Sequence, residues 1–401
     1  MVSALVSRRH LMRLGLGLGA AGLLAPLAVL AQDASRRRFL FVLAAGGWDP
    51  MFVFAPMFEH SHLHWPVEAW RDDSLALPYV ASPRHPAVTD FFSRWGDRCC
   101  IVNGIEVPSV THDQCRRLLL TGQRDGAVDD WGALIGGGSE GFDLPTVVVS
   151  GPSYTHQHSA SVLRLGGAGQ LGALVDGSAL EALGASPLPS DQAVAAWRSA
   201  RYAAIEDGDF KDALLLADAQ RTRLSTLEGV DLAVQGEGWV DVHQRAEPAL
   251  QLFEGGLSRC AQLLHLGQWD GGWDSHSNLE AQHDHHDTLF TDLDRVLDSI
   301  AAKGLQDEVT VVVLSEMGRA PQRNSTAGKD HWTWTSALLI GSGIQGGQVI
   351  GGFDAEFFGI EVEGRSLTTS DLGATLLRLA DLDPALAPNG RAIEGILDPG
   401  V

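Results

Sequence analysis

Short apolar runs that stop at glycine, acid or imidazole constrain this chain more than any other feature. Phe39–Ala45 is wholly apolar and ends at Gly46-Gly47-Trp48-Asp49. A second apolar run and a glycine pair, Leu263–Trp273, lead into Asp274-Ser275-His276. A third, Val309–Leu314, ends in Ser315-Glu316-Met317-Gly318-Arg319 and is followed by Gly328-Lys329-Asp330-His331-Trp332. Runs this short without alternation read as strands buried on both faces, which is what a parallel sheet requires. Open α/β sheets gather ligands just beyond the carboxyl ends of such strands.

The spacing predicts further strands at Cys100–Val102, Thr146–Val149, Ala261–Leu266 and Ser336–Ile340. Helices are expected at Gln114–Leu120, near Pro248–Glu254, at Asp284–Ala302 and from about Ser370 to Ala380. Residues 50–90, rich in Pro, His and Trp, read as long loops. Alanine-rich, charged stretches at Asp191–Glu206 and Phe210–Leu227 predict a helical insertion over 190–235. Strands alternating with helices imply an α/β fold with a mainly parallel central sheet flanked by helices.

The N-terminus has the marks of an export signal. Arg8-Arg9 precedes an apolar, glycine-rich stretch from Leu14 to Leu30, and Val29-Leu30-Ala31 offers small residues for cleavage. Paired arginines point to the twin-arginine export machinery as a partner. The expectation is a signal over 1–31 and a single domain over 32–401, with no stable membrane span after cleavage. Loss of Arg8, Arg9 and Arg13 takes the formal charge from −21 to −24, with 26 basic against 50 acidic residues. A surface this acidic excludes nucleic acid and anionic lipid as partners. Of the cysteines, an oxidising compartment permits a Cys100–Cys115 bridge, and no zinc-ribbon spacing is present.

Several residue types suit metal and ester chemistry. Asp49 is either a rim carboxylate or the start of an Asp-Pro turn with Pro50. Thr111, which with His112 lies just before a helix, is either a cap or a nucleophile. Asp274 with His276, four residues after Asp270, suits zinc, manganese or iron. Glu316 ends an apolar strand, where it serves as a ligand or pairs with Arg319. Asp330-His331 adds a second acid–imidazole couple, whose alternative is a buried structural hydrogen bond. His283 and His286 share a helix face, and two alternating sets, His60/His62/His64 and His156/His158, are weaker ligand candidates.

These motifs resemble a large, uncharacterised bacterial family of exported proteins, a domain of unknown function grouped with the alkaline phosphatase and sulfatase clan. The matching pieces are Gly46–Asp49, Thr111-His112, Gly272–His276, Ser315–Arg319, Gly328–Trp332, Gly341–Gly352 and Thr368–Asp371. The resemblance implies an alkaline-phosphatase-like domain acting as a metal-dependent hydrolase or transferase on a small anionic ester, such as a phosphate. Asp49, Asp274, His276, Glu316, Asp330 and His331 would be ligands or would orient ligands for one or two divalent ions, zinc or manganese. Thr111 would be the nucleophile beside His112, and Arg319 would hold an anionic oxygen. Where the clan carries Asp-His, this chain has Glu316-Met317, which favours one ion. Cys115-Arg116-Arg117 does not reproduce the sulfatase nucleophile motif. The rival expectation is a non-catalytic exported binding or assembly protein that retains the fold.

Overall fold

The computed structural model describes residues 37–60, 63–66, 68–165, 191–208, 210–212, 214–215, 241–268 and 272–401. The export segment, His62, Asp270 and most of Phe210–Leu227 lie outside the described residues. The strands are β1 (Arg38–Ala44), β2 (Trp70–Asp72), β3 (Tyr79–Ala81), β4 (Cys99–Glu106), β5 (Thr146–Val148), β6 (Val162–Arg164), β7 (Cys260–His265), β8 (Val309–Leu314), β9 (Gly318–Arg319), β10 (His331–Trp332), β11 (Trp334–Gly341), β12 (Gln348–Gly351) and β13 (Leu367–Thr368). The helices are α1 (Pro86–Trp95), α2 (His112–Thr121), α3 (Trp131–Gly137), α4 (Asp191–Ala203), α5 (Val242–Glu254), α6 (Ala281–Ala302) and α7 (Thr369–Leu379).

The main sheet runs in the order β12-β4-β11-β8-β1-β7-β5-β6, with β13 added beside β4. Every pairing in it is parallel except those of β11, which runs antiparallel between β4 and β8. The fold is therefore mixed α/β with a mostly parallel sheet. Both faces are covered, which explains the unbroken apolar runs. In β1, Leu40, Val42 and Ala44 face a core shared with Phe91 and Phe92 of α1, Leu250 and Phe253 of α5, and Leu289 and Phe290 of α6. Phe39, Phe41 and Leu43 face the opposite core, with Leu119 and Leu120 of α2, Trp131 of α3 and Leu376 and Leu377 of α7.

Element positions follow the apolar pattern closely, and Val309–Leu314 forms a strand over its whole predicted length. The stretch expected to be long loops instead carries the β2–β3 hairpin and α1, whose apolar face is supplied by Val88, Phe91 and Phe92. All four cysteines are free and buried, so the Cys100–Cys115 bridge is absent. Cys100 sits in the sheet core, whereas Cys115 packs with Val107, Leu118 and Met317. No helix among the described residues is long and apolar enough to cross a membrane.

Candidate metal centre

The parallel strands β1, β4, β7 and β8 end on one rim, and the loops beyond them bring the candidate residues together. Gly46 makes the first of these turns possible. Its φ is +127°, and a Cβ there would lie 2.7 Å from the Asp274 amide nitrogen. The backbones after β1 and β7 thus touch directly. Gln282 of α6 ties the two loops from beneath: its Oε1 accepts from Asp49 N at 2.9 Å, and its Nε2 donates to Trp273 O at 3.0 Å and Ser275 Oγ at 3.1 Å.

His112, Asp274 and His331 each bring a ligand atom to within 4.8 Å of the others. His276 joins them, with Nε2 at 2.9 Å from His331 Nε2 and 3.3 Å from Asp274 Oδ1. His331 Nε2 is 3.5 Å from the same oxygen, and His112 Nε2 is 3.3 Å from Asp274 Oδ2. That last approach is an ion-pair distance without hydrogen-bond geometry, so the buried His112 Nε2 has no hydrogen-bond partner among the described residues.

The other nitrogen of each ring is held from behind. His112 Nδ1 meets Glu316 Oε1 at 3.0 Å, His276 Nδ1 meets Asp330 Oδ1 at 3.3 Å, and His331 Nδ1 donates to the Val110 carbonyl at 2.6 Å. These contacts assign Nδ1 as the protonated nitrogen in all three. Asn324 donates to Asp330 Oδ1 and to the His276 carbonyl, both at 3.0 Å, fixing that pair in turn.

Electrostatics follow the geometry. The carboxylates of Asp274 and then Glu316 push His112 up to about 9. Burial works against ionised Asp274, but His112 and Arg319 outweigh it and hold the carboxyl well below its ordinary range. Burial also lowers His331, favouring its neutral ring.

Neighbours in the fold bear on the roles expected of Asp49, Glu316 and Arg319. Asp49 does not join the cluster: it is fully buried, with Oδ2 at 2.5 Å from Lys329 Nζ and Oδ1 accepting from Met51 N at 3.0 Å. Glu316 is fully buried and faces His112 and the Gly46 amide at 2.9 Å, which makes it a support for an imidazole. Arg319 is fully buried too. It donates to Gly47 O at 2.9 Å, Lys329 O at 3.3 Å, Asp274 Oδ1 at 2.7 Å and the Gly46 carbonyl, leaving it turned away from any incoming anion. Thr111 occupies the N-cap of α2, yet its hydroxyl makes no capping bond and lies 3.4 Å from Ser109 Oγ.

The weaker histidine candidates fall elsewhere. His283 and His286 are buried among Phe52, Phe54 and Trp273. His158 Nδ1 pairs with Asp129 at 2.9 Å, and His156 is exposed. Met317 is core packing, with Val107, Cys115 and Leu118. Lys329, Gln282, Asn324 and the Val110 carbonyl were not foreseen as parts of the site. Only Lys329 had a signal, its place inside the Gly328–Trp332 motif.

Residues 219–394 match the model of a family described as a protein of unknown function (DUF1501). No protein of curated function matches the chain. Among solved structures, the chain is similar to the lipoteichoic acid synthase LtaP from Listeria monocytogenes, at 8% identity and a TM-score of 0.42 over 90% of this chain and 75% of that one. It is similar to the PsFucS1 sulfatase from Pseudoalteromonas sp., at 11% identity and a TM-score of 0.43 over 94% and 75%. A phosphonate monoester hydrolase of Agrobacterium radiobacter is similar at 15% identity and a TM-score of 0.37 over 91% and 78%. Over its C-terminal portion the chain is thus similar to an uncharacterised family, and that match covers Asp274, His276, Glu316, Arg319, Asp330 and His331.

Proposed function

We propose that this chain is an exported, metal-dependent hydrolase or transferase acting on a phosphate or related anionic ester. The contact between His276 and His331 carries the reading. Each ring commits its Nδ1–H to an acceptor, so each Nε2 presents a lone pair, and the two face each other at 2.9 Å. Lone pairs at that distance repel unless a proton or a cation lies between them. Donors around a tetrahedral ion with bonds of about 2.0 Å stand about 3.3 Å apart. The contacts of Asp274 with the three rings, and that between His276 and His331, run from 2.9 to 3.5 Å.

These four residues would hold the ion. A set of three imidazoles and one carboxylate suits zinc better than manganese. When bound, the ion supplies a Lewis acid for an ester oxygen. Glu316, Asp330 and the Val110 carbonyl keep the three rings oriented, and Arg319 balances the charge of Asp274. Thr111, exposed at the start of α2, is the proposed nucleophile, and the first amides of the helix favour negative charge beside it. Export rests on Arg8-Arg9 and the apolar stretch after them.

One observation favours a second reading, an exported binding protein without turnover. The Thr111 hydroxyl contacts Ser109 Oγ, not a base, and Arg319 is committed internally. The test is metal analysis of the mature protein and its Asp274→Ala variant. Turnover of phosphomonoesters, diesters and sulfates is then measured with and without zinc or manganese. Bound metal that Asp274→Ala removes, with turnover that Thr111→Ala abolishes, supports the enzyme. Bound metal without turnover supports the second reading, and a protein that binds no metal refutes the metal-dependent enzyme.

A further inference from the structure

We infer that the ammonium of Lys329 stands where a second metal ion would, so that the centre takes one ion and not two. This rests on the metal reading above. It concerns the share of that reading expected of Asp49.

Both Asp49 oxygens are engaged, one by Lys329 Nζ at 2.5 Å and the other by the Met51 amide at 3.0 Å. Both charged side chains are fully buried. A divalent ion binding Asp49 would have to share its buried carboxylate with the Lys329 ammonium or displace it, and displacement would strand an ammonium in the interior. Removing one partner of a buried pair is strongly unfavourable for that reason.

Charge counting points the same way. Among the buried and half-buried groups, the carboxylates of Asp49, Asp274 and Glu316 stand against the cations of Arg319 and Lys329, which leaves one negative charge when the histidines are neutral; Asp330, behind His276, is exposed and screened by solvent. One divalent ion turns this into one positive charge, suited to an anionic ester. A second would put three positive charges into a mostly buried site.

The backbone at Lys329 shows why the charge is fixed there. Its N–H donates to Ser275 O at 3.2 Å, and its carbonyl accepts from Arg319 Nη1 at 3.3 Å. Gly328 passes so close to the Ser275–His276 backbone that a Cβ would lie 2.1 Å from Ser275 O. Lys329 is therefore a positioning residue: its ion pair pins the segment that delivers Asp330 and His331 one and two residues later. The Gly-Lys-Asp-His order of the motif follows, with a close approach, a fixed charge, a support and a ligand in turn.

The test is zinc titration of the metal-free, full mature chain, read by native mass spectrometry. Wild type is compared with His331→Ala and with the charge-neutral double variant Asp49→Asn/Lys329→Gln. The expected result is one zinc per wild-type chain, with affinity lowered in the double variant, which loses the pinning pair, and lowered at least tenfold in His331→Ala. Two zinc ions in wild type overturn the inference while leaving the metal reading intact, as does an unchanged zinc affinity in a folded double variant. No zinc in wild type overturns the metal reading and this inference with it. The wild-type count decides even if the double variant fails to fold.

Discussion

Acid is expected to unfold this protein cooperatively above the pH at which its carboxylates protonate, because five imidazoles are buried as neutral rings. His85, His265, His283, His285 and His286 are at most 1% exposed. Among the described residues, Nε2 of the first four, and both nitrogens of His286, have no hydrogen-bond partner. Trp273 Nε1 donates to His265 Nδ1 at 3.0 Å, and the Gln268 amide donates to His285 Nδ1 at 2.9 Å. His283 and His85 share a contact of 2.8 Å between their Nδ1 atoms. His286 lies among Trp48, Phe52, Phe54 and Trp273, with nothing there to stabilise a proton. The charged groups nearby are Arg84, Glu280 and Asp284. Burial pushes His265 and His283 down to about 3 and His85 and His285 down to about 4, from 6.5, and lowers His286 strongly as well.

The direction follows from proton linkage. Below 6.5 the unfolded chain binds more protons than the folded one, so stability falls as the pH drops from 6.5 towards the folded values. At about 1.4 kcal/mol per unit, each ring still neutral at pH 5 forfeits about 2 kcal/mol. Five such rings forfeit on the order of 10 kcal/mol, comparable to the whole stability of an ordinary domain. Urea unfolding at a series of pH values from 8 to 5 measures the slope, which is expected to approach five protons per chain. His286→Phe is expected to shift the acid midpoint downward. Stability that stays flat between pH 7 and 5 would refute the reasoning.

Three further outcomes test the site. Glu316→Gln is expected to keep the fold but weaken zinc binding about 10–100-fold, because the support behind His112 loses its charge; chelator competition measures this, and unchanged affinity would count against the role. Zinc binding at pH 7.5 is expected to release about one proton per chain, since His112 is held near protonation up to about 9 and must give up its Nε2 proton to a metal. Affinity then rises with pH through that range, and calorimetry in buffers of different ionisation enthalpy detects the proton. Gly46→Ala is expected to cost about 1–3 kcal/mol and to loosen zinc, because its backbone is left-handed and the new Cβ would press on Asp274 N. A thermal melt and zinc count equal to wild type would contradict that.

The sheet was legible because burial on both faces leaves a local signature. Phe39–Ala45 and Val309–Leu314 cannot be anything but interior strands, and glycine marks where they stop. The rim position of Asp274, His276, Asp330 and His331 followed from those strand ends. The antiparallel setting of β11 did not, since apolar content fixes a strand but not its direction. Nor did α1, whose Pro86 start and half-apolar face were hidden among the Pro, His and Trp of residues 50–90.

Roles within the rim depended on distances that no local pattern carries. Asp49 and Lys329 are 280 positions apart, and Glu316 and His112 are 204 apart, yet each pair is in contact. Residue type made Asp49 and Glu316 look like ligands or supports of ligands and Arg319 like an anion clamp. A carboxylate's use is set by whichever cation or imidazole packs against it, and that choice is made by the folded chain. The types of chemistry available at this centre are written in the order of its residues; which acid meets a metal and which meets an ammonium is a matter of packing between segments far apart in the chain.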